Sequence, residues 1–496
     1  MADQQDHRSG DSSVIEMTSL AQELTDKLVT LKSSQAQLGD GRVPSGSTRI
    51  IVAKVPDSVR EADKAEYEHD HVSIGPYNCP RPVPQSHSLH LARREQDKLS
   101  SLDDVLTAAM AARNHGGGYL EELARLEPFA RSCYYTPVDC YLTSREFVRM
   151  LLLDGCYILS CFTAITAPAS RNNEPATATE NGGVPAPAAG STAARGGVAM
   201  LDDLLVVRDV FFLAENQIPF AVLEKIAELT YVDGNKAAAA VEGIVEYALS
   251  LLKAYAVEAP APAPTAAPGN LLHLLHMHLK PAVMSPAAME GTSVGRWRTA
   301  TEYVSAGVTF KKRNVGVNNG DARCILDVKL SGSGSGTLEV PCLDIDGQTW
   351  RLLRNLMQLE QQNRETVGTH VTAYCVFMSQ VACTDKDVEL LSKAKAGVIG
   401  HGQGTDAEVA ACFADLCKGI MFDRDDSDGN YLKEIWQVLE KRVKSNPRRW
   451  MAWLWREHFR NPCLALGLLA AAVALVCGVV QAIYSVLTYR QGFDLH

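Results

Sequence analysis

Residues 145–162, REFVRMLLLDGCYILSCF, place apolar side chains at the three- and four-residue spacing of a helix, and Thr143 and Ser144 ahead of them are helix-capping residues. The run KEIWQVLEKRV at 433–443 repeats that spacing towards the other end of the chain. Helical periodicity of this kind dominates the sequence, which predicts a mainly α fold, a large helical body. The exceptions are CILDVKL at 324–330 and TLEVPCLDID at 337–346, which alternate well enough to form a small antiparallel β element. Between them SGSGSG, 331–336, is read as a flexible hairpin connection, because no Lys-Ser or Lys-Thr follows it to make a phosphate loop. No repeat at a fixed period is present.

Working outward from the helical runs, residues 49–445 form an α-rich body with two flexible insertions. These are 167–197, rich in Ala, Pro, Thr and Gly, and 258–269, which contains APAPAPTAAPG. Residues 1–48 are polar, with Ile15, Leu20, Leu24, Leu28 and Leu31 at the spacing of one amphipathic helix. They carry neither the basic nor the apolar region of a signal peptide. Of the 496 residues 46% are hydrophobic and 21% charged, enough apolar material for a sizeable core. A formal charge of −10 argues against nucleic acid as a partner.

The other decisive stretch is CLALGLLAAAVALVCGVVQAI, 463–483. No charged residue occurs from Asn461 to Tyr489, and ten residues of the stretch are Leu, Val or Ile. That length at 1.5 Å per residue spans a hydrocarbon core of about 30 Å. A transmembrane helix is therefore expected over 463–487, preceded by a basic and aromatic juxtamembrane segment, 446–462, and followed by a short tail, 488–496. Lys441, Arg442, Lys444, Arg448, Arg449, Arg456 and Arg460 lie on the N-terminal side of the span, which puts the body in the cytosol. So few residues follow the span that a tail-anchored, single-pass protein of the plasma membrane or an endomembrane is expected, with the lipid bilayer as one partner.

The thirteen cysteines include no CxxC pair, and the nearest pairs, Cys156 with Cys161 and Cys412 with Cys417, are too loosely spaced for a zinc site. They are read as reduced core residues. His273, His276 and His278 in LLHLLHMHL lack an HExxH frame and are read as part of a partly exposed amphipathic helix. His69 and His71, flanking Asp70, are read as a loop feeding a turn. GVIGHGQGT, 397–405, is read as a flexible glycine-rich loop, since no βαβ pattern surrounds it. Asp154, inside LLLDGCYIL, and Glu215-Asn216-Gln217, ahead of Pro219, are polar groups in apolar surroundings. They suit either a buried network with an arginine such as Arg149 or Arg354, or an active-site acid or base, and the network is the preferred reading. No catalytic, cofactor-binding or metal-ligating residue is assigned, and no cofactor is expected.

VPDSVRE at 55–61, HVSIGPYN at 71–78, EFVRMLLLDGCYIL at 146–159 and DDLLVVRDVFFLAENQIPFAVLE at 202–224 stand in the order of the plant family known as domain of unknown function 247. EYVSAGVTFKK, LEVPCLDIDGQTWRLLRNLMQLEQ, FMSQVACTDKDVELL and WREHFRNP with its hydrophobic tail continue the resemblance from about Ile50 to Tyr489. Asn78 stands where members usually carry His, and Cys463 where they usually carry Trp. The resemblance implies a C-terminally membrane-anchored plant protein and implies no reaction. Some grass relatives lie at self-incompatibility loci, where they are thought to act in pollen recognition. The function expected is that of a membrane-anchored interaction, signalling or recognition component with a protein partner. The alternative is a membrane-bound enzyme using buried carboxylates.

Overall fold

Thr143 turns the chain into the helix that 145–162 predicts. Its hydroxyl accepts from the Glu146 N–H at 3.3 Å and the Glu146 carboxylate accepts back from the Thr143 N–H at 2.9 Å, satisfying two donors that a helix N-terminus leaves open. This is seen in a computed structural model that describes residues 47–61, 63–77, 89–111, 118–135, 142–166, 205–257, 267–282, 293–318, 320–331, 336–393, 396–402, 404–426, 429–445 and 473–485.

The first half is helical: α1 (Asp57–Arg60), a 3₁₀ turn (Lys64–Glu66), α2 (Leu89–Ala111), α3 (Tyr119–Ser132), α4 (Ser144–Thr166), a helical stretch at 205–212, α5 (Phe220–Thr230), α6 (Gly234–Leu251), α7 (Leu271–His278) and α8 (Ala300–Ser305). Strands β1 (Thr309–Arg313), β2 (Lys329–Ser331), β3 (Thr337–Pro341) and β4 (Leu343–Ile345) follow. The chain then returns to helix with α9 (Thr349–Val367), α10 (His370–Val381) and α11 (Asp385–Ser392), passes through β5 (Ile399–His401), and ends the body with α12 (Asp406–Asp415) and α13 (Lys433–Ser445). The fold is mainly α with a small mixed sheet.

Helix α4 is the hub, with α2, α3, α5 and α6 packed around it. From Met150 to Leu159 every residue is buried, so the apolar run faces protein on all sides rather than along one stripe. Gly155 lets α5 close on it, since a Cβ there would lie 2.4 Å from Ile226 Cδ1. One apolar cluster runs from Ile50 to Val443.

The β element differs from the pair expected. β2 does run antiparallel to β3, with Leu330 opposite Leu338, but β1 lies parallel along the other edge of β3, so the sheet is mixed, in the order β1-β3-β2. β1 reads TFKKR, and only Phe310 of it is buried, so it carries no alternation to announce a strand. Within the glycine-rich 397–405 segment, 399–401 form β5, parallel to β4, where a loop was expected.

Among the described residues no helix is long and apolar enough to cross a membrane. Residues 473–485, the part of the expected 463–487 span that is described, are helical and exposed throughout. The remainder of that span, residues 1–46, the insertion at 167–197, 258–266 of the second insertion, the 446–462 segment and the 488–496 tail lie outside the described residues, as do Asn78 and Cys463.

Candidate functional site

Residues 47–77 cross the body as a strap, buried in places and exposed in others, that belongs to no sheet. Its backbone meets other backbone chiefly at Val52, which accepts from the Tyr135 N–H at 3.0 Å and donates to the Cys133 carbonyl at 2.7 Å. Buried amide and carbonyl groups need partners, and here the side chains of the body supply them. Asn363 accepts from the Ile51 N–H at 2.7 Å and donates to the Ile51 carbonyl at 2.8 Å. Gln362 does the same for Ala53 at 3.0 and 3.1 Å, so two side-chain amides of α9 stand in for a neighbouring strand. Glu215 takes the Val55 N–H and the Arg60 guanidinium. Further along, Asp209 collects the N–H groups of Asp70, His71 and Val72, the last two at 2.6 and 2.9 Å. Asn216 accepts from the Ile74 N–H at 2.7 Å and donates to the Val72 carbonyl at 3.0 Å. Asp154 closes the series on the Gly75 N–H at 2.8 Å. Gly75 has φ +77°, and a Cβ on it would lie 2.6 Å from the Gln217 carbonyl, so only glycine makes this approach.

The isolated polar residues have the following partners. Asp154 pairs with Lys98 at 2.7 Å, and Lys98 donates to the Ser73 carbonyl at 2.7 Å. Arg149, the partner considered from the sequence, is on the exposed face of α4. Arg354 faces Asp63 at 3.4 Å, and its neighbours on α9, Arg351 and Asn355, donate to the carbonyls of Glu68 and Glu66 at 3.0 and 2.9 Å. Asp154, Glu215 and Arg354 therefore meet the strap at separate places. Burial raises the Asp154 carboxyl above the usual range, with the Lys98 charge pulling it back, and burial raises Asp209 against the pull of its three N–H donors. Glu215 lines an open depression of about 460 Å³ with Lys54, Asp57, Arg60 and Tyr77; neither Asp154 nor Arg354 does. Asp70 faces Arg208.

A second cluster lies deeper and was not foreseen. His276, expected on a partly exposed helix, is buried, and its Nε2 stands 2.9 Å from Glu360 Oε1. His370 Nδ1 is 3.8 Å from the same oxygen. Burial holds His276 and His370 well below the usual imidazole value, at about 3. His273 is held at about 3 by burial and by His276, and its Nδ1 accepts from the Gly269 N–H at 3.0 Å. His276, Glu360 and His370 come from α7, α9 and α10, so no local spacing announces them. Glu360 alone left a trace, an acid on the helix face of Leu352, Leu353 and Leu356.

The family signature of DUF247, plant proteins of unknown function, matches residues 52–477. The chain belongs to the DUF247 family. It is also similar to the UPF0481 protein At3g47200 of Arabidopsis thaliana, 23% identical over 470 residues, which cover 90% of this chain and 88% of that protein. No solved structure matches the fold. The DUF247 motifs have a physical meaning in this chain: VPDSVRE and HVSIGPY belong to the strap, while AENQIP and the RNLMQLEQ helix carry the side chains that grip it.

Proposed function

We propose that the protein is held in a membrane by one helix near residues 463–487 and that its α-rich body, facing the cytosol, receives a protein partner in signalling or recognition. The observation that carries the reading is the helix at 473–485. Val473, Leu475, Val476, Val479, Val480 and Ile483 are all exposed there, along one face of the helix, within a stretch free of charge from Asn461 to Tyr489. A charge-free helix with such a face bare is at home in hydrocarbon and unfavourable in water, where each large aliphatic side chain left uncovered costs about 1.5–3 kcal/mol. The basic residues from Lys441 to Arg460 favour a cytosolic body.

The surface this reading assigns to the partner is the groove between α5 and α6, about 660 Å³. It is lined by Tyr231, Val232, Ala237, Val241 and Val245 together with Glu224, Glu228 and Glu242. An apolar lining that also carries carboxylates fits an amphipathic helix whose apolar side is flanked by lysine or arginine. The enzyme alternative draws less support, since its carboxylates serve the strap rather than one cleft.

The test is extraction and protease protection of the full chain expressed in plant cells. Retention in the membrane pellet at alkaline pH, with the body digested from the cytosolic side and a C-terminal tag shielded, is the expected result. Release by alkaline carbonate, or a digestible C-terminal tag, overturns the anchor.

A further inference from the structure

We propose that His276, Glu360 and His370 bind a divalent transition-metal ion, with zinc the best fit, inside the body of the protein.

Three observations carry this. The first is geometry. One nitrogen from each imidazole and one carboxylate oxygen lie within 4.8 Å of one another, with measured separations of 2.9 Å from His276 Nε2 and 3.8 Å from His370 Nδ1 to Glu360 Oε1. Ligands about 2.0–2.1 Å from zinc at tetrahedral angles are about 3.3 Å apart, which falls between those two separations. The side chains are already placed as three corners of such a site.

The second is the state of His370. It is 3% exposed, and its Nδ1 faces Glu360 from beyond hydrogen-bond length. An ion between the two joins this imidazole to the carboxylate, which no direct hydrogen bond does at that separation.

The third is charge. Glu360 is fully buried, and among the described residues no lysine or arginine stands within ion-pair distance of it. The two histidines are the groups around it, and a divalent cation supplies the missing positive charge. Its outward hydrogen bonds are those of a held ligand: the carboxylate accepts from the N–H groups of Val371 and Thr372 at 2.9 and 2.7 Å and from the Thr372 hydroxyl at 2.6 Å, which fixes its orientation. A hydrogen bond from His276 to Glu360 would account for those two residues alone and leaves His370 unexplained.

Two imidazoles and one carboxylate select zinc, iron(II) or cobalt(II) rather than calcium or magnesium, which prefer an all-oxygen set. The ion would tie α7, α9 and α10 together. Glu360 lies on α9 between Asn355 and Gln362, both of which hold the strap, so the site braces the helix that grips residues 51–66.

The experiment uses the full chain, purified in detergent without an affinity tag that binds metal. Metal content is measured by mass spectrometry, and thermal unfolding is followed with zinc and with a chelator. The expected results are about one equivalent of zinc per chain and a fall in Tm on chelation that zinc restores. Replacement by cobalt should give the visible absorption of a tetrahedral site. His370→Gln and Glu360→Gln, checked for cooperative unfolding, should lose the metal and the zinc-dependent Tm shift. Should either variant fail to fold, the wild-type stoichiometry and the cobalt spectrum decide. Metal content below about one tenth of an equivalent with no zinc-dependent Tm shift overturns the proposal, as does metal retained equally by both variants.

Discussion

The strap at 47–77 and the helix at 473–485 are held in opposite ways. RIIVAKVPDSVREADKAEYEHDHVSIG carries a charge every few residues, keeps those charges exposed or half-buried and tucks Ile50, Val52, Val55, Val59, Tyr67, Val72 and Ile74 inside, whereas VALVCGVVQAIYS has none and lies bare. The strap is tolerated inside because nearly every buried polar group along it finds a carboxylate, amide or guanidinium of the body, so few donors or acceptors are left to incur the cost of desolvation. Among the described residues nothing covers the apolar helix. A polar segment is held by specific partners, an apolar one by whatever medium excludes water.

The hardest blow to this contrast would come from charging the apolar helix. Two aspartates, Val476→Asp with Val480→Asp, should cost about 6 kcal/mol of insertion free energy and empty the membrane pellet, while leaving the thermal unfolding of the body unchanged. If the body's Tm fell instead, the helix would be packing against protein and the comparison would fail. The strap predicts the opposite pattern. Asp209→Ala leaves the Val72 N–H buried without an acceptor and those of Asp70 and His71 half-buried, which points to a loss of about 2–3 kcal/mol in denaturant unfolding, with membrane retention untouched. A loss no larger than that of an exposed substitution would mean that the strap is not held by its polar partners.

Hydropathy and periodicity made α4 and α13 legible, because a helix writes its spacing into consecutive residues. The polar interruptions Asp154 and Glu215 to Gln217 were legible as a network for the same reason, since an acid inside an apolar run needs a partner. Their partners were not. Lys98 sits in a segment rich in charge, and the backbone groups of residues 55 to 75 have no signature in side-chain identity at all. His276 and His370 were misjudged or passed over because their burial depends on how α7 and α10 meet across α9, a matter of tertiary packing over 84 residues and more. β1 was missed because its two lysines are exposed on an edge of a short sheet, where strand propensity is weak.

The smallest expected effect compares a carboxylate in the strap's clamp with one on the surface, and the two should titrate with opposite sign. Asp209 is raised from 3.8 by burial, so its contribution is fully present below that value and is lost as pH rises through the folded pKa. Glu408, exposed in the capping box that starts α12, is lowered from 4.5 by its bonds to Thr405, so its contribution is present above that value and is lost as pH falls through the folded pKa. The advantage of the wild type over Asp209→Asn should therefore shrink from pH 3 towards neutrality, and its smaller advantage over Glu408→Gln should grow over the same range. Denaturant unfolding at a series of pH values measures both slopes on one protein. Parallel slopes would show that Asp209 is as well solvated as a surface carboxylate, and the strap would then lie against the body rather than within it.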